Sequence, residues 1–508
     1  LYAAPVLYTY AHTIDMVDML KILGFVLFGL YALTSLWLFL NALVQLHLLW
    51  HYKRGKKEKN AIKPLPATLP FISIQLPVYN EKYVIERLLD ACTQLDYPND
   101  LYEIQVLDDS TDETKMIIDK KAEAISTQGI AITVLRRPDR SGFKAGALQY
   151  GLPLCKGELI AIFDADFVPN PDFLKSLLPH FKDRQVGLVQ ARWSHLNREE
   201  NHLTRIQTFL LDTHFSIEQS GRSNAGYFIN FCGTAGIWRK QCIEDAGGWD
   251  GNVLSEDLDI SYRAQLKGWK LVYDQETEVP AELPSVIEAF KIQQFRWTKG
   301  MAQITRKNLK ALLNSHLPWP KKIHGAFHLL GSFVFVCLFV NALLTLPLLI
   351  FRNLYPEFIT LSHYTLFTSF NLVALTLFYY NGTHSIRSQY PVQFFKHYPL
   401  FLVIYMGMSV QNAFAVLQGF LGSQSAFVRT PKFNTNTANQ ASYLKRRINW
   451  VTLLEIAILC YFLYGIGLSL YLGDYFMMLF FIMIGCGLGY LVYQSILLLI
   501  LRPTAKVA

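Results

Sequence analysis

Two pairs of carboxylates stand out because each closes a short β-rich run: Asp108 and Asp109 after "YEIQVL", and Asp164 and Asp166 after "ELIAIF". One acidic residue in such a place is ordinarily a turn former or a helix cap. Two pairs at two consecutive strand ends call for a further account. In "DAD" the i, i+2 spacing sends both side chains to one side if extended geometry persists. Two hard carboxylates on one side suit Mg²⁺ or Mn²⁺, with water and phosphate oxygens completing the octahedron. Such an ion neutralises a departing diphosphate.

Cations follow. The segment "RRPDRSGFKAGAL" sets Arg137, Arg140 and Lys144 around a glycine at an expected helix start, which combines positive side chains with free backbone N–H groups. A solvated basic loop is the alternative reading at this point. There is no GxxxxGK[ST] loop and no GxGxxG after the first strand, which excludes a P-loop and a dinucleotide fingerprint.

Further along, "SEDLDISYRA" opens a helix in which Ser255 can cap and Glu256 and Asp257 favour the dipole. The stretch "QQFRWTKG" gathers Gln293, Arg296, Trp297 and Lys299. It reads either as a basic amphipathic turn on a membrane surface or as the lid of a site for a charged, ring-shaped substrate.

The elements that must position these groups show as alternating patterns. "FISIQLP", "YEIQVLD", "IAITVLR" and "ELIAIFD" read as buried strands, and "EKYVIERLLDACTQL", "DETKMIIDKKAEAI" and "GFKAGALQYGL" as the helices between them. A βαβ succession predicts a mainly parallel sheet, with ligands outside the carboxyl ends of its strands. The carboxylate pairs fall there.

The chain is too apolar for an ordinary soluble enzyme: 52% of its 508 residues are hydrophobic and 17% charged, against about 25% charged in soluble domains. The excess lies in residues 20–50 and beyond 322. The first run exceeds the ~20 residues needed to cross a bilayer and is followed by "HYKRGKKEKN" rather than a cleavage site, so it reads as a membrane helix and not a signal peptide. Its basic flank predicts a cytosolic residue 51–321 block. The sequence opens on Leu1, as expected of a trimmed chain. The expected division is a membrane helix at 1–50, a basic linker at 51–69, a catalytic domain at 70–300, an interfacial helix at 301–321 and a membrane region at 322–508. Within the last, 397–422 is flanked by basic residues on both sides and reads as an interfacial helix that does not cross, with Gln411, Asn412 and Gln418 facing protein or a cavity. Seven cysteines, odd in number and without a CxxC pair, give neither a disulfide framework nor a zinc site. The net charge of +8 is accounted for by membrane-flanking clusters and suits an anionic substrate. No nucleic-acid partner is expected.

In this order, "LPVYNE", "DDSTDET", "GFKAGAL", "DAD", "CGTAG", "SEDLD" and "QQFRW" resemble the inverting family 2 glycosyltransferases. The similarity is to the membrane-embedded cellulose synthase superfamily and its cellulose-synthase-like mannan and glucan synthases. "FVRTPKF", within 423–436, resembles their gating-loop region. The resemblance implies an α/β GT-A-like, Rossmann-like cytosolic domain joined to an α-helical transmembrane domain.

It also implies roles. Asp108, Asp109, Glu81, Arg140, Lys144, Gln293 and Arg296 fall on the donor side, and Asp164 and Asp166 match the metal-binding DxD for Mg²⁺ or Mn²⁺. Asp257 matches the general base, with Ser255 in place of the usual Thr. Trp297, Glu256, Cys232, Gly233 and Thr234 fall on the acceptor side. Apart from the resemblance, Trp193, His214 and Phe215 in "QARWSHLN" and "TFLLDTHFSIEQ" read equally as acceptor contacts or as core or interfacial residues. The implied function is elongation of a β-linked glucan or mannan from UDP-glucose or GDP-mannose, with extrusion through a multi-pass membrane region. Single-sugar transfer to a lipid acceptor, as in ceramide glucosyltransferases, is the alternative enzyme, and a transporter or channel regulated by nucleotide sugar the alternative without catalysis.

Overall fold

The structure, a computed structural model, describes residues 3–56, 64–362, 366–386, 391–423, 432 and 450–500. Its polar block is built on a seven-stranded sheet in the order β3-β2-β1-β4-β6-β5-β7. The strands are β1 Ile72–Val78, β2 Tyr102–Asp108, β3 Ala131–Leu135, β4 Leu159–Ile162, β5 Val186–His195, β6 Gly236–Arg239 and β7 Lys270–Ala281. The central strands are buried along nearly their whole length, as expected where helices cover both faces. β1 pairs in parallel with β2 and β4, and β2 with β3, whereas β6 runs antiparallel between β4 and β5.

The expected strands and helices lie where the periodicity puts them, within a few residues. One detail differs. β4 stops at Ile162, and Phe167 N–H donates to Asp164 C=O at 3.0 Å, so "DAD" lies in a turn and extended geometry does not run through it.

One face of the sheet packs on the Ile85–Thr93, Thr114–Thr127 and Phe173–Leu177 helices around Ile74, Leu88, Ile104, Phe163 and Phe173. The other packs on Phe143–Gly151, Lys240–Asp245 and Glu256–Leu266 around Leu148, Ile160, Trp238 and Ile260.

The helix that begins at Ile287 carries "QQFRW" and continues unbroken to Asn314. The boundary expected at residue 300 therefore falls inside one element: the helix crosses from the sheet domain to the apolar region without a break. Likewise the N-terminal helix runs through Lys56 and takes in the start of the expected linker.

Five helices among the described residues are long and apolar enough to cross a membrane: Met16–Gly55, Trp319–Leu354, Phe394–Phe420, Trp450–Leu472 and Met477–Leu497. Phe394–Phe420, placed at the interface by its charge flanks, is long enough to cross and is the most enclosed of the five. Its polar residues face protein, as expected: Gln411 Nε2 donates to Lys291 C=O at 2.8 Å, and Lys299 Nζ donates to Gln418 Oε1 at 3.1 Å. Lys291 also forms a buried ion pair with Glu455 of the Trp450–Leu472 helix at 2.9 Å. The Ile287–Asn314 helix thus makes polar contacts with the apolar helices, beside the apolar packing of Ile206, Phe209 and Ile217 on Phe378, Phe394 and Phe401.

Candidate active site

A cleft of about 1270 Å³, counted to its open mouth, lies across the carboxyl ends of β1, β2 and β4. Of the expected site residues it gathers Glu81, Asp109, Arg140, Lys144, Asp164, Asp166, Cys232, Gly233, Glu256, Asp257, Gln293, Arg296 and Trp297 on its walls.

At one end, Arg140 lies over the Tyr79 ring, 3.3 Å from its centroid. Asp109 is gripped by Arg137, whose Nε and Nη2 donate at 2.8 and 2.6 Å. Asp108 is not on the wall. It is the last residue of β2, and neighbours along a strand point to opposite faces, so its buried carboxylate turns inward. There it accepts from Ser110 N–H at 2.9 Å and Arg136 Nε at 2.8 Å. The "DD" pair is split between cleft and scaffold.

In the middle, Lys144 Nζ donates to Asp164 Oδ1 at 2.5 Å and to Gly233 C=O at 2.8 Å. Thr234, also absent from the wall, holds Asp164 from behind: its buried Oγ1 accepts from Asp164 N–H at 2.9 Å. Asp166 meets Lys432 Nζ at 2.6 Å, and that ammonium also donates to Glu282 C=O at 2.8 Å. Lys432 belongs to the gating-loop-like segment; apart from it and Ser423, residues 423–436 lie outside the described residues.

Both DxD carboxylates thus face one cleft, and each is held by an ammonium group, so the place attracts positive charge. Among the described residues no group of three or more His, Cys, Asp or Glu side chains could hold a metal. The protein offers two hard oxygen ligands, and a divalent ion there needs phosphate and water for the remainder. That fits Mg²⁺ or Mn²⁺ arriving with a diphosphate.

On the far side stand Glu256 and Asp257, in the acidic first turn of the Glu256–Leu266 helix. Ser255 occupies the N-cap position without a side-chain capping bond. Its hydroxyl abuts Gly300, where an added Cβ would come within 2.1 Å, so only glycine lets the "QQFRW" helix approach the Asp257 turn this closely. Burial, then the neighbouring Glu256 carboxylate, pushes Asp257 up to about 7, although Leu258 N–H, Lys144 and Arg296 work against the shift. Burial also raises Glu256. Burial works to lower Lys144, but Asp164 and Glu256 outweigh it and the ammonium is held raised. The result is a base of near-neutral affinity set among fixed cations, the pattern of an acid–base site.

The backbone is strained at the same place. Asn80, Phe143 and Ala235 are the non-glycine residues with positive φ among those described, at 56°, 49° and 55°. Each lies within two positions of a wall residue, and such strain collects at functional sites.

Three further expectations resolve differently. Trp193 lines the cleft. Phe215 instead packs behind it, ring centroids 5.0 Å apart. His214 pairs with Glu218 at 2.9 Å and is not on the wall. The sequence reading missed Tyr79, His195 and Glu282, all on the wall. His195 had a signal: it stands two residues from Trp193 on a strand and shares its face.

A largely parallel α/β sheet with carboxylates and fixed cations at its carboxyl edge, beside helices long and apolar enough to cross a membrane, defines a GT-A-like domain joined to a candidate membrane region. A mannosyltransferase from Pyrobaculum calidifontis, solved with GDP-Man and Mn²⁺, shares this fold with a TM-score of 0.52 at 19% identity, over 78% of this chain and 100% of that one. Residues 70–300 match the model of glycosyltransferase-like family 2, so this part of the chain is similar to that family. Glucomannan 4-beta-mannosyltransferase 1 of Oryza sativa subsp. japonica is 39% identical over 296 residues, covering 55% of this chain and 57% of that protein. Glucomannan 4-beta-mannosyltransferase 2 of Arabidopsis thaliana is 41% identical over 276 residues, covering 53% and 51%. The chain spans about half the length of these relatives.

Proposed function

We propose that the protein elongates a β-linked mannan or glucomannan by inverting transfer from a nucleotide-diphosphate sugar, with GDP-mannose as the preferred donor. The observation that carries this is the convergence in one cleft of Asp257, raised to about 7, with Lys144, Arg296 and the Asp164/Asp166 pair. The relatives named above are mannosyltransferases, which favours mannose over glucose.

Asp109 and Arg140 bind the nucleoside end, and Lys144 and Arg296 the diphosphate. Mg²⁺ or Mn²⁺, held by Asp164 and Asp166, would supply charge neutralisation for the departing diphosphate. Trp297 presents an aromatic face to the acceptor sugar, and Asp257 takes the proton from its attacking hydroxyl. The new bond forms from that oxygen to the anomeric carbon as the carbon–oxygen bond to the diphosphate breaks, the electron pair leaving with the phosphate. A catalytic domain on the cytosolic side, with the spanning helices receiving the product, completes this reading.

Radiolabelled GDP-mannose and UDP-glucose offered separately to the purified protein in membranes test it. Label from GDP-mannose in a product that lengthens with time and yields to β-mannanase supports the proposal. A one-sugar glycolipid as the end product transfers the function to lipid glycosylation, and no incorporation from either donor overturns it.

A further inference from the structure

The cleft wall beyond the DxD turn holds two nitrogen atoms that the roles above leave unused. Trp193 and His195 stand at i and i+2 on β5 and both line the cleft, as the alternation of a strand requires. Trp193 Nε1 and His195 Nε2 are each buried and have no hydrogen-bond partner among the described residues. The nearest carboxylate to His195 Nε2 is Asp212 Oδ1 at 3.9 Å, too far for a hydrogen bond. Asp212 is already occupied by Arg198, which grips both its oxygens.

Ring contacts fix how Trp193 presents itself. Phe167, next to the DxD turn, meets it edge-on with centroids 5.1 Å apart, and Phe215 lies against it at 5.0 Å. These two rings hold the indole in place on the cleft wall, and its Nε1 is left without a partner among the described residues. His195 is held neutral: burial, then Arg198, Arg192 and Lys432, lowers it to about 3. A neutral imidazole and an indole N–H carry no charge for phosphate, and a buried polar atom of this kind needs a partner. The two atoms are spaced along a strand that rises about 3.3 Å per residue, a reach suited to hydroxyls spread over one sugar ring. The charged nucleotide end of the cleft, at Asp109 and Arg140, is served by other residues.

We infer that Trp193 Nε1 and His195 Nε2 form a two-point hydrogen-bonding wall for the hydroxyls of a pyranose ring, making them specificity-determining residues for the sugar. The inference rests on the glycosyl-transfer reading of this cleft. The ring belongs either to the donor sugar or to the acceptor glycan, which share this chemistry and are separable by experiment.

The test uses the full chain in detergent, with His195→Phe, His195→Gln and Trp193→Phe. Binding of GDP alone, of GDP-mannose and of a β-mannan oligosaccharide is measured by calorimetry, with circular dichroism to confirm folding. His195→Phe and Trp193→Phe are expected to keep GDP affinity within twofold and to lose about tenfold toward one sugar ligand, with His195→Gln recovering part of the loss. Loss toward GDP-mannose assigns the wall to the donor ring, and loss toward the oligosaccharide assigns it to the acceptor. Unchanged affinity for both in folded variants overturns the inference while leaving the transferase reading intact. Native protein that binds GDP-mannose no more tightly than it binds mannose overturns both.

Discussion

A β-carbon placed on Gly233 would lie 3.2 Å from Oδ2 of Asp257. The backbone at that glycine, with φ of 86°, therefore forms the floor against which the carboxylate rests. The same residue's C=O accepts from Lys144, so one turn sets the distance between base and cation. Gly233→Ala strains a left-handed position by about 1–3 kcal/mol and presses on Asp257. We expect a lowered melting temperature and at least a hundredfold loss of turnover, read by thermal denaturation and sugar incorporation; turnover within threefold of the native protein would show that the contact is idle.

Asp257→Asn is expected to abolish transfer while GDP-mannose still binds. The stability effect has the opposite sign. A carboxyl raised to about 7 in the fold binds its proton more tightly there than in the unfolded chain, where its value is about 3.9. It costs nothing below about pH 4 and progressively more as pH rises to about 7. The variant should therefore melt higher than the native protein at pH 8 and equally at pH 4, and a lower melting point at pH 8 would contradict the shift.

With Asp257 as the proposed base, raised to about 7, kcat/KM should fall roughly tenfold per pH unit below that. Glu256 raises Asp257 through its nearby charge. Glu256→Gln should move this acid limb to lower pH, and a limb that stays in place would remove the coupling.

Chelation of divalent ions should stop incorporation, and Mn²⁺ or Mg²⁺ should restore it. Asp164→Asn and Asp166→Asn should each weaken Mn²⁺-dependent tightening of GDP binding by more than tenfold. Because Lys432 pairs with Asp166, Asp166→Asn also frees that ammonium. Full activity in chelator would remove the metal assignment.

The Lys291–Glu455 pair is buried on both sides, with side-chain exposures of 5% and 0%. Removing one partner leaves a charge without its counterpart and costs about 3–5 kcal/mol. Glu455→Leu and Lys291→Met should each destabilise the protein markedly, and the double variant should recover most of the loss. Additive losses in thermal denaturation would show that the pair does not couple the domains.

Much of this was legible in the sequence because the relevant forces are local. Strand and helix positions between 70 and 170 follow from apolar periodicity, and the acidic pairs at strand ends follow from where a parallel sheet binds ligands. What misled was also local. The "DAD" spacing implied a continued strand, but β4 ends at Ile162 and a turn brings both carboxylates to the cleft. Asp108 and Asp109 look equivalent in the chain, yet strand alternation sends one to Arg136 and the other to the wall.

By itself the sequence determined a membrane-anchored α/β domain and its set of acids, cations and aromatic groups, since composition, periodicity and motif order are properties of neighbouring residues. Only the tertiary structure decided that Lys432 reaches Asp166 across 266 positions, that Lys291 meets Glu455 inside the apolar region, and that Trp193 and His195 keep unspent nitrogen atoms on the cleft wall. These depend on which surfaces pack together after the chain has closed on itself, and burial, which fixes the charge state of Asp257 and His195, exists only then.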